Sequence, residues 1–254
     1  MIATKKSDIE NLREAGRILA EVLLATAKLV KPGVCAADLD LAAEEMIRAR
    51  GGVPAFLNYQ PSGAAYPFPA ALCVSINEEV VHGIPTEDKI IKAGDIVMLD
   101  LGVSYNGFFS DAAYTVIAGK GDARGQELVA ASREALAEAL KVVRHGAHVG
   151  DIGAAIERVA KKYHFAIAED LGGHSVGKTV HEKPFIPNEG REGEGEQLVE
   201  GLVLAVEPIF CEGKPQIVLG ADEWTYTTRD GKRSAEFEQT IIVTRDGCEI
   251  LTKF

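Results

Sequence analysis

The segment from Gly94 to Thr115, GDIVMLDLGVSYNGFFSDAAYT, places two carboxylates in an otherwise apolar strand–turn–strand pattern. Asn106-Gly107 is the strongest short-range signal for a two-residue type I′ turn, which predicts that Gly102 pairs with Asp111. Because side chains alternate between the faces of a strand, Asp100 shares the face of Gly102 and becomes a diagonal neighbour of Asp111. Two carboxylates held this way repel each other unless a proton or a metal ion lies between them.

An alternative needs no ion, with Asp111 as an exposed strand-end residue and Asp100 as a turn cap. Three further residues favour the metal. Glu207 closes the apolar run LVLAVE, Glu238 lies within SAEFEQTIIVT, and His174 lies in the glycine-rich LGGHSVG. An oxygen-rich set with one imidazole suits hard or borderline ions such as Mn, Fe or Co. Four carboxylates carry more charge than one ion needs and suit a two-metal centre.

Composition limits the classes of protein that remain. The 254 residues can bury a core as one domain, and the net charge of −11 argues against a DNA-binding or anionic-membrane surface. Charged residues interrupt every apolar stretch of segment 1–30, so we expect neither an export signal nor a membrane span. Ser7 and Glu10 form a capping-box pattern there. The absence of a CxxC pair predicts reduced thiols and a cytoplasmic protein. The four cysteines are Cys35, Cys73, Cys211 and Cys248.

Two parts of the chain are alike. LVKPGVCAADLDLAAEEMI and VVRHGAHVGDIGAAIERVA share a pattern that predicts helix N-caps at Asp38 and Asp151. Downstream, HGIP from His82 matches HEKP from His181, and GDIVMLD matches GLVLAVE. We therefore expect a single catalytic domain over 1–254, of mixed α/β (α+β) class, with pseudo-repeat halves at about 1–118 and 123–254. The alternative is that α/β chains share such local patterns without duplication.

The ordered series of candidate ligands resembles that of the methionine aminopeptidases and their pita-bread relatives. The likeness runs from about Ile9 to Leu251 and rests on SINEEVVHGIP, GDIVMLDLG with SDAAYT, GGHSVG with VHEKP, AVEP and SAEFEQTIIVT. It implies a pita-bread fold of two pseudo-symmetric halves around two divalent ions, Mn, Fe or Co. The implied metal ligands are Asp100, Asp111, His174, Glu207 and Glu238.

Within this group, the chain resembles the bacterial type I methionine aminopeptidases. The extra N-terminal domain usual in prolidases does not precede the motifs, and no helical insertion separates His181 from Glu207. The DLG after the first acid is closer to prolidases. Three residues depart from the type I pattern: Val180 where an aromatic is common, Ser175 where Gly is usual, and Gln239 where His is usual.

The resemblance also implies roles for individual residues. Glu207 would be the general base for a metal-activated water, His181 would stabilise the charge on the scissile carbonyl oxygen, and His82 would contact the scissile amide. A weaker resemblance places one monovalent cation at Asn77 and Ser234. The residues expected to line an apolar methionine pocket are Cys73, Trp224, Phe68, Tyr59 and Val180. For Tyr59 and Phe68, plain core packing is an equal alternative.

The implied function is removal of the initiator methionine from nascent proteins and peptides with a small second residue. Its partners would be the N-terminal peptides of nascent chains and, transiently, the ribosome; we expect no DNA, no membrane and a monomer. Two alternatives remain open, an Xaa-Pro peptidase of the same fold and a catalytically weak pita-bread binding protein.

Overall fold

The order helix, helix, strands occurs twice along the chain. The computed structural model describes all 254 residues. The helices are α1 (Lys6–Ala27), α2 (Ala36–Ala49), α3 (Ala123–Val142) and α4 (Val149–Tyr163). The strands of the first part are β1 (Val53–Pro54), β2 (Leu72–Ile76), β3 (Glu79–Val81), β4 (Ile96–Tyr105) and β5 (Phe108–Ile117). The strands after α4 are β6 (Ala166–Ile167), β7 (Gly172–Ser175), β8 (Glu182–Pro187), β9 (Val203–Val206), β10 (Ile209–Cys211), β11 (Ile217–Leu219), β12 (Tyr226–Thr228), β13 (Ser234–Glu236), β14 (Gln239–Val243) and β15 (Cys248–Ile250).

The β4–β5 hairpin has the predicted register. Gly102 is opposite Asp111 and Asp100 is opposite Ala113 in an antiparallel ladder. Asn106 and Gly107 have φ values of 50° and 73°, the left-handed conformation that a type I′ turn needs at both positions. The two carboxylates therefore lie on one face of the hairpin, as diagonal neighbours.

A five-stranded sheet of order β15-β14-β9-β7-β8 lies against this hairpin. The Glu238 amide donates to the Ala113 carbonyl at 3.0 Å, and the Asp111 amide donates to Thr240 Oγ1 at 2.9 Å. The Thr240 hydroxyl in turn donates to the Asp111 carbonyl at 2.7 Å. These bonds hold the acid-bearing face of the hairpin against the ends of β9 and β14, where Glu207 and Glu238 lie.

The two helix pairs pack on different groups of strands. The apolar residues of α1 and α2, among them Leu23 and Leu39, bury themselves against Leu99 and its neighbours on β2 and β4. Those of α3 and α4 pack in the same way on β9, β10 and β14, around Phe237. Removal of this apolar area from water is the main stabilisation of the fold. None of the four helices combines the length and apolar character that a membrane span needs.

Three predicted helix caps are wrong. Helix α1 begins at Lys6, so Ser7 lies inside it and bonds to its neighbour Asp8 rather than capping the helix. Helices α2 and α4 begin before their aspartates, with Cys35 and His148 as the N-cap residues. Asp38 and Asp151 are each the third helical residue, where a carboxylate still interacts favourably with the helix N-terminus. Asp151 accepts a bond from the His148 amide at 2.8 Å.

We predict that Gly102→Ala destabilises the protein by about 1–3 kcal/mol, the usual cost of overpacking. A Cβ at this position would lie 2.6 Å from Cε1 of Phe56 and 3.0 Å from Cβ of Ala55. Urea unfolding at fixed metal concentration measures the change. Gly107→Asn in the same hairpin is the control. A Cβ at position 107 would meet no atom within 4 Å, and asparagine tolerates the positive φ of this residue. Equal stability of Gly102→Ala and the parent would contradict this packing.

Candidate metal centre and active site

Five side chains from four separate elements converge at one cavity. Asp100 and Asp111 come from the β4–β5 hairpin, His174 from β7, Glu207 follows β9, and Glu238 precedes β14. The Nε2 atom of His174 lies 3.9 Å from Asp111 Oδ2, 3.6 Å from Glu207 Oε1 and 4.0 Å from Glu238 Oε1. Ligand atoms of Asp111, His174 and Glu238 all lie within 4.8 Å of one another. All five residues expected as ligands are thus in one place.

The hydrogen bonds of these groups fit a divalent ion. Oδ1 of Asp100 and Oδ1 of Asp111 are buried without any hydrogen-bond partner. Nδ1 of His174 lies 3.0 Å from the Ser175 carbonyl oxygen, so it is the protonated nitrogen and donates there. The lone pair of Nε2 then faces the carboxylates, which is the usual arrangement of a histidine metal ligand. Buried oxygens that lack partners and a correctly oriented imidazole are what a cation would satisfy.

Burial strongly shifts the pKa values of the ionisable groups in the site. Burial raises the pKa of Asp100 to about 7, and it raises the pKa values of Asp111, Glu207 and Glu238 well above their ordinary range. Burial, with a smaller contribution from the nearby His181, lowers the pKa of His174 to about 3. Without a cation these acids therefore keep their protons to higher pH than free carboxyl groups do, and a metal ion must displace those protons, so metal affinity rises with pH.

Glu236 is a fifth carboxylate at the centre, and the sequence reasoning did not identify it. Its side chain is 3% exposed and lines the same cavity. Burial raises its pKa well above the usual range, and the charge of Asp100 raises the pKa further. The signal was present in SAEFEQT, because residues two apart in an extended segment face the same side. Glu236 and Glu238 stand at that spacing.

Two histidines lie beside the acids. His82 and His181 both line the cavity, and the rings of His181 and His174 have centroids 4.4 Å apart. Burial, with a smaller effect of His181, lowers the pKa of His82 to about 4; burial also lowers the pKa of His181. Both imidazoles are therefore neutral at physiological pH and can each present one N–H and one lone pair. The hydroxyl of Tyr59 lies 3.0 Å from Nδ1 of His181.

The other side of the cavity is apolar. The cavity has a volume of about 460 Å³, within the range of small-ligand sites. Phe68 and Trp224 meet edge to face with centroids 5.2 Å apart, and Cys73 is paired with Asp100 across the β2–β4 ladder. The apolar and aromatic residues of the wall include Phe56, Tyr59, Phe68, Cys73 and Trp224, and Val81, Leu171 and Phe185 also line the cavity. Phe56 was not expected from the sequence.

Three other residues that were expected at the site do not line the cavity: Val180, Gln239 and Ser175. Val180 is 3% exposed and packs in the cluster of Phe68 and Trp224, but it lies behind the cavity wall rather than on it. Gln239 donates from Nε2 to the Thr252 carbonyl at 3.1 Å, away from the cavity. The Ser175 hydroxyl donates to the Val203 carbonyl at 2.9 Å and so joins β7 to β9.

Asn77 and Ser234, the residues expected at a monovalent cation, are adjacent in space. The Ser234 amide and hydroxyl both donate to the Asn77 carbonyl, at 2.8 and 3.2 Å. The Ser234 hydroxyl also reaches the Glu79 carbonyl at 3.0 Å. Several backbone oxygens therefore gather at this point, next to β13 and its acidic residue.

The mixed α/β scaffold thus holds a buried cluster of acids and imidazoles of the kind that binds divalent metal ions. The profile of metallopeptidase family M24 matches residues 10–245, and the chain belongs to this family. A methionine aminopeptidase of Aquifex aeolicus is 45% identical over 248 residues, covering 97% of this chain and 96% of its own. The crystal structure of methionine aminopeptidase from Thermotoga maritima superposes with a TM-score of 0.94 at 41% identity, covering 100% of both chains. These findings confirm the resemblance and the pita-bread fold.

A more distant structure shares the fold alone. The prolidase from Pyrococcus furiosus superposes with a TM-score of 0.78 at 22% identity, and this chain covers 66% of it. The curated relatives that match nearly the full chain carry the methionine aminopeptidase name instead. The comparison therefore favours the methionine branch over the Xaa-Pro branch.

We predict that Asp100→Asn becomes progressively more stable than the parent, in metal-free buffer, as the pH rises from about 4 to about 7. The raised pKa means that the folded parent binds a proton at Asp100 that the unfolded chain has lost, so its free energy of unfolding falls as pH rises through this window. Asparagine carries no such proton. Urea unfolding with chelator at several pH values measures the difference, and exposed Asp246→Asn is the control for charge. If the free energies of unfolding of the parent and of Asp100→Asn change with pH in the same way, the carboxyl group of Asp100 is not buried as described.

Proposed function

We propose that this protein is a metal-dependent exopeptidase that removes the N-terminal methionine from nascent proteins and peptides with a small second residue. The observation that carries the proposal is the cavity itself. It joins a cluster of buried acids and imidazoles to an apolar wall of Phe68, Cys73 and Trp224. The first part suits peptide hydrolysis and the second suits a long apolar side chain. The preference for a small second residue is supported by the likeness to methionine aminopeptidases.

We assign the metal site to Asp100, Asp111, His174, Glu207 and Glu238. Two divalent ions, drawn from Mn, Fe and Co, would supply Lewis acidity toward the scissile carbonyl and a strong nucleophile at neutral pH. Four carboxylates can neutralise the four positive charges of two such ions. The lone pair of His174 Nε2 and the unpartnered oxygens of the hairpin acids support this assignment.

Glu207 and the two histidines carry the proton chemistry in this proposal. Glu207 lies within 3.6 Å of His174 Nε2, and it would accept the proton that the attacking water loses. His181, neutral and at the cavity surface, would donate a hydrogen bond to the carbonyl oxygen as negative charge develops. His82 would contact the scissile amide and assist departure of the amine.

The apolar wall would receive the methionine side chain. A thioether is polarizable and makes favourable contacts with aromatic rings, worth about 0.3–1.5 kcal/mol each. Trp224 and Phe68 present such rings, and Tyr59 adds a third next to His181. Because Val180 lies behind this wall, we propose that its effect on the pocket is indirect, through the packing of Trp224.

Several further assignments remain proposals. We propose a single catalytic domain with related halves, 1–118 and 123–254, on the repeated helix–helix–strand order. We propose one monovalent cation at Asn77 and Ser234, where backbone oxygens gather. The thiols of all four cysteines are unpaired, which favours a reducing, cytoplasmic setting. We also propose that the substrates are the N-termini of nascent chains and that the protein contacts the ribosome transiently. We propose a monomeric state.

We predict that metal-free protein is inactive and that Mn, Fe or Co restores release of methionine from Met-Ala-Ser, with Ala-Pro-Ala cleaved poorly. Asp111→Ala and Glu238→Ala should not be rescued at the metal concentration that suffices for the parent, since each removes a ligand oxygen. Free methionine and bound metal are measured in parallel. Full activity in excess chelator would exclude the metal mechanism, and cleavage before proline without a methionine advantage would place the enzyme in the Xaa-Pro branch.

We predict that His82→Ala and His181→Ala each retain the fold and the metal but lose about 10²–10⁴ in kcat/KM, the scale of positioned acid–base and oxyanion groups. His145→Ala, on the surface and outside the cavity, is the control. Turnover at the parent rate by either site variant would remove that histidine from the mechanism. Loss of metal or of folding would assign it a structural role instead.

A further inference from the structure

The segment between Asn58 and Phe68 brings a hydroxyl to the outer nitrogen of His181. Tyr59 Oη lies 3.0 Å from Nδ1 of His181, and the two rings are tilted by 36° with centroids 5.5 Å apart. The contact is separate from the apolar wall, because the hydroxyl faces the imidazole while the ring lines the cavity. The inference below rests on the proposed role of His181.

The direction of this hydrogen bond follows from the partners available. Burial, together with the charge of Asp111, raises the pKa of Tyr59, so the phenol keeps its proton. The hydroxyl has no protein hydrogen-bond partner other than Nδ1. If Nδ1 carried the imidazole proton, it would donate to the phenol oxygen and leave the phenol proton without a protein acceptor. The favoured arrangement has Tyr59 donating to Nδ1 and the ring proton of His181 on Nε2.

The position of that proton decides what His181 can do. A neutral imidazole with Nε2–H offers a donor to a carbonyl oxygen, whereas the other tautomer offers a lone pair that would repel it. Stabilisation of developing oxyanion charge needs the donor. We propose that Tyr59 is a positioning residue that holds His181 in the Nε2–H tautomer and aims that N–H into the cavity.

Hydrogen bonds at both ends of the segment between Asn58 and Phe68 fix the position of Tyr59. The Asn58 amide donates to the Phe68 carbonyl at 2.9 Å, and the Phe68 amide donates to the Tyr59 carbonyl at 2.8 Å, so the segment is closed at its base. At its other end, the Tyr66 hydroxyl donates to the Asp222 carbonyl and the ring meets Trp224 edge to face. The phenol of Tyr59 is thus presented to His181 from a segment anchored on both sides.

Tyr59→Phe removes only the hydroxyl and keeps the ring on the cavity wall. Tyr163→Phe is the matched control, because it makes the same chemical change on a hydroxyl that donates to Glu134 outside the cavity. Two-bond ¹⁵N–¹H correlation spectra of ¹⁵N-histidine-labelled protein, loaded with diamagnetic Zn²⁺, report which ring nitrogen carries the proton. The spectrum of His181→Gln identifies the His181 signals among the 6 histidines.

We expect Nε2–H for His181 in the parent and in Tyr163→Phe, and a shift toward Nδ1–H in Tyr59→Phe. In the Mn-loaded enzyme, Tyr59→Phe should lower kcat by about 10-fold, the scale of one lost hydrogen bond, with KM within about twofold of the parent. Nδ1–H in the parent, an unchanged tautomer in Tyr59→Phe, or an unchanged kcat overturns the proposal. If no variant and no parent releases methionine, the proposed function fails, while the spectra still decide whether Tyr59 sets the tautomer.

Discussion

Five carboxyl groups are buried in one cavity, where they repel one another, and the sheets of this fold hold them together. Each of them would be costly to ionise away from water, and their proximity adds to that cost. Protons can relieve the repulsion in the metal-free protein, and divalent cations can relieve it more completely. The apolar sheets around the site strengthen the repulsion, because they exclude the water that would otherwise screen the charges.

The scaffold holds the mutually repelling acids together by placing them on strands and at strand ends. The two hairpin acids are set by a ladder whose register is determined by one two-residue turn. Glu207 and Glu238 lie at strand ends in a second sheet that is joined to the hairpin through Thr240. A one-residue slip of β5 against β4 would place Asp100 and Asp111 on opposite faces of the hairpin and dismantle the cluster. Precision at the site is therefore a property of the sheets and the bonds between them.

The departures from the type I pattern also have local explanations in the structure. Ser175 uses its hydroxyl to join two strands, and Gln239 bonds to the Thr252 carbonyl outside the cavity. Glu236, which the sequence reasoning missed, matters most for charge, because it adds a buried carboxyl group whose charge acts on Glu207. Its presence means that the charge balance of the metal centre depends on a residue outside the implied ligand set.

The sequence by itself determined the mixed α/β class, the hairpin register and the ordered acids and histidines, because turn chemistry and strand alternation are local properties. It did not determine the helix starts: the choice between Asp38 as cap and as third helical residue depends on where the preceding chain packs. It also missed Glu236 and Phe56, and it placed Val180 on the pocket wall. Burial and the meeting of distant strands decide which side chains share a cavity, and these are decided by tertiary packing. The Tyr59–His181 contact joins residues 122 positions apart, so only the folded chain could bring that hydroxyl to that nitrogen.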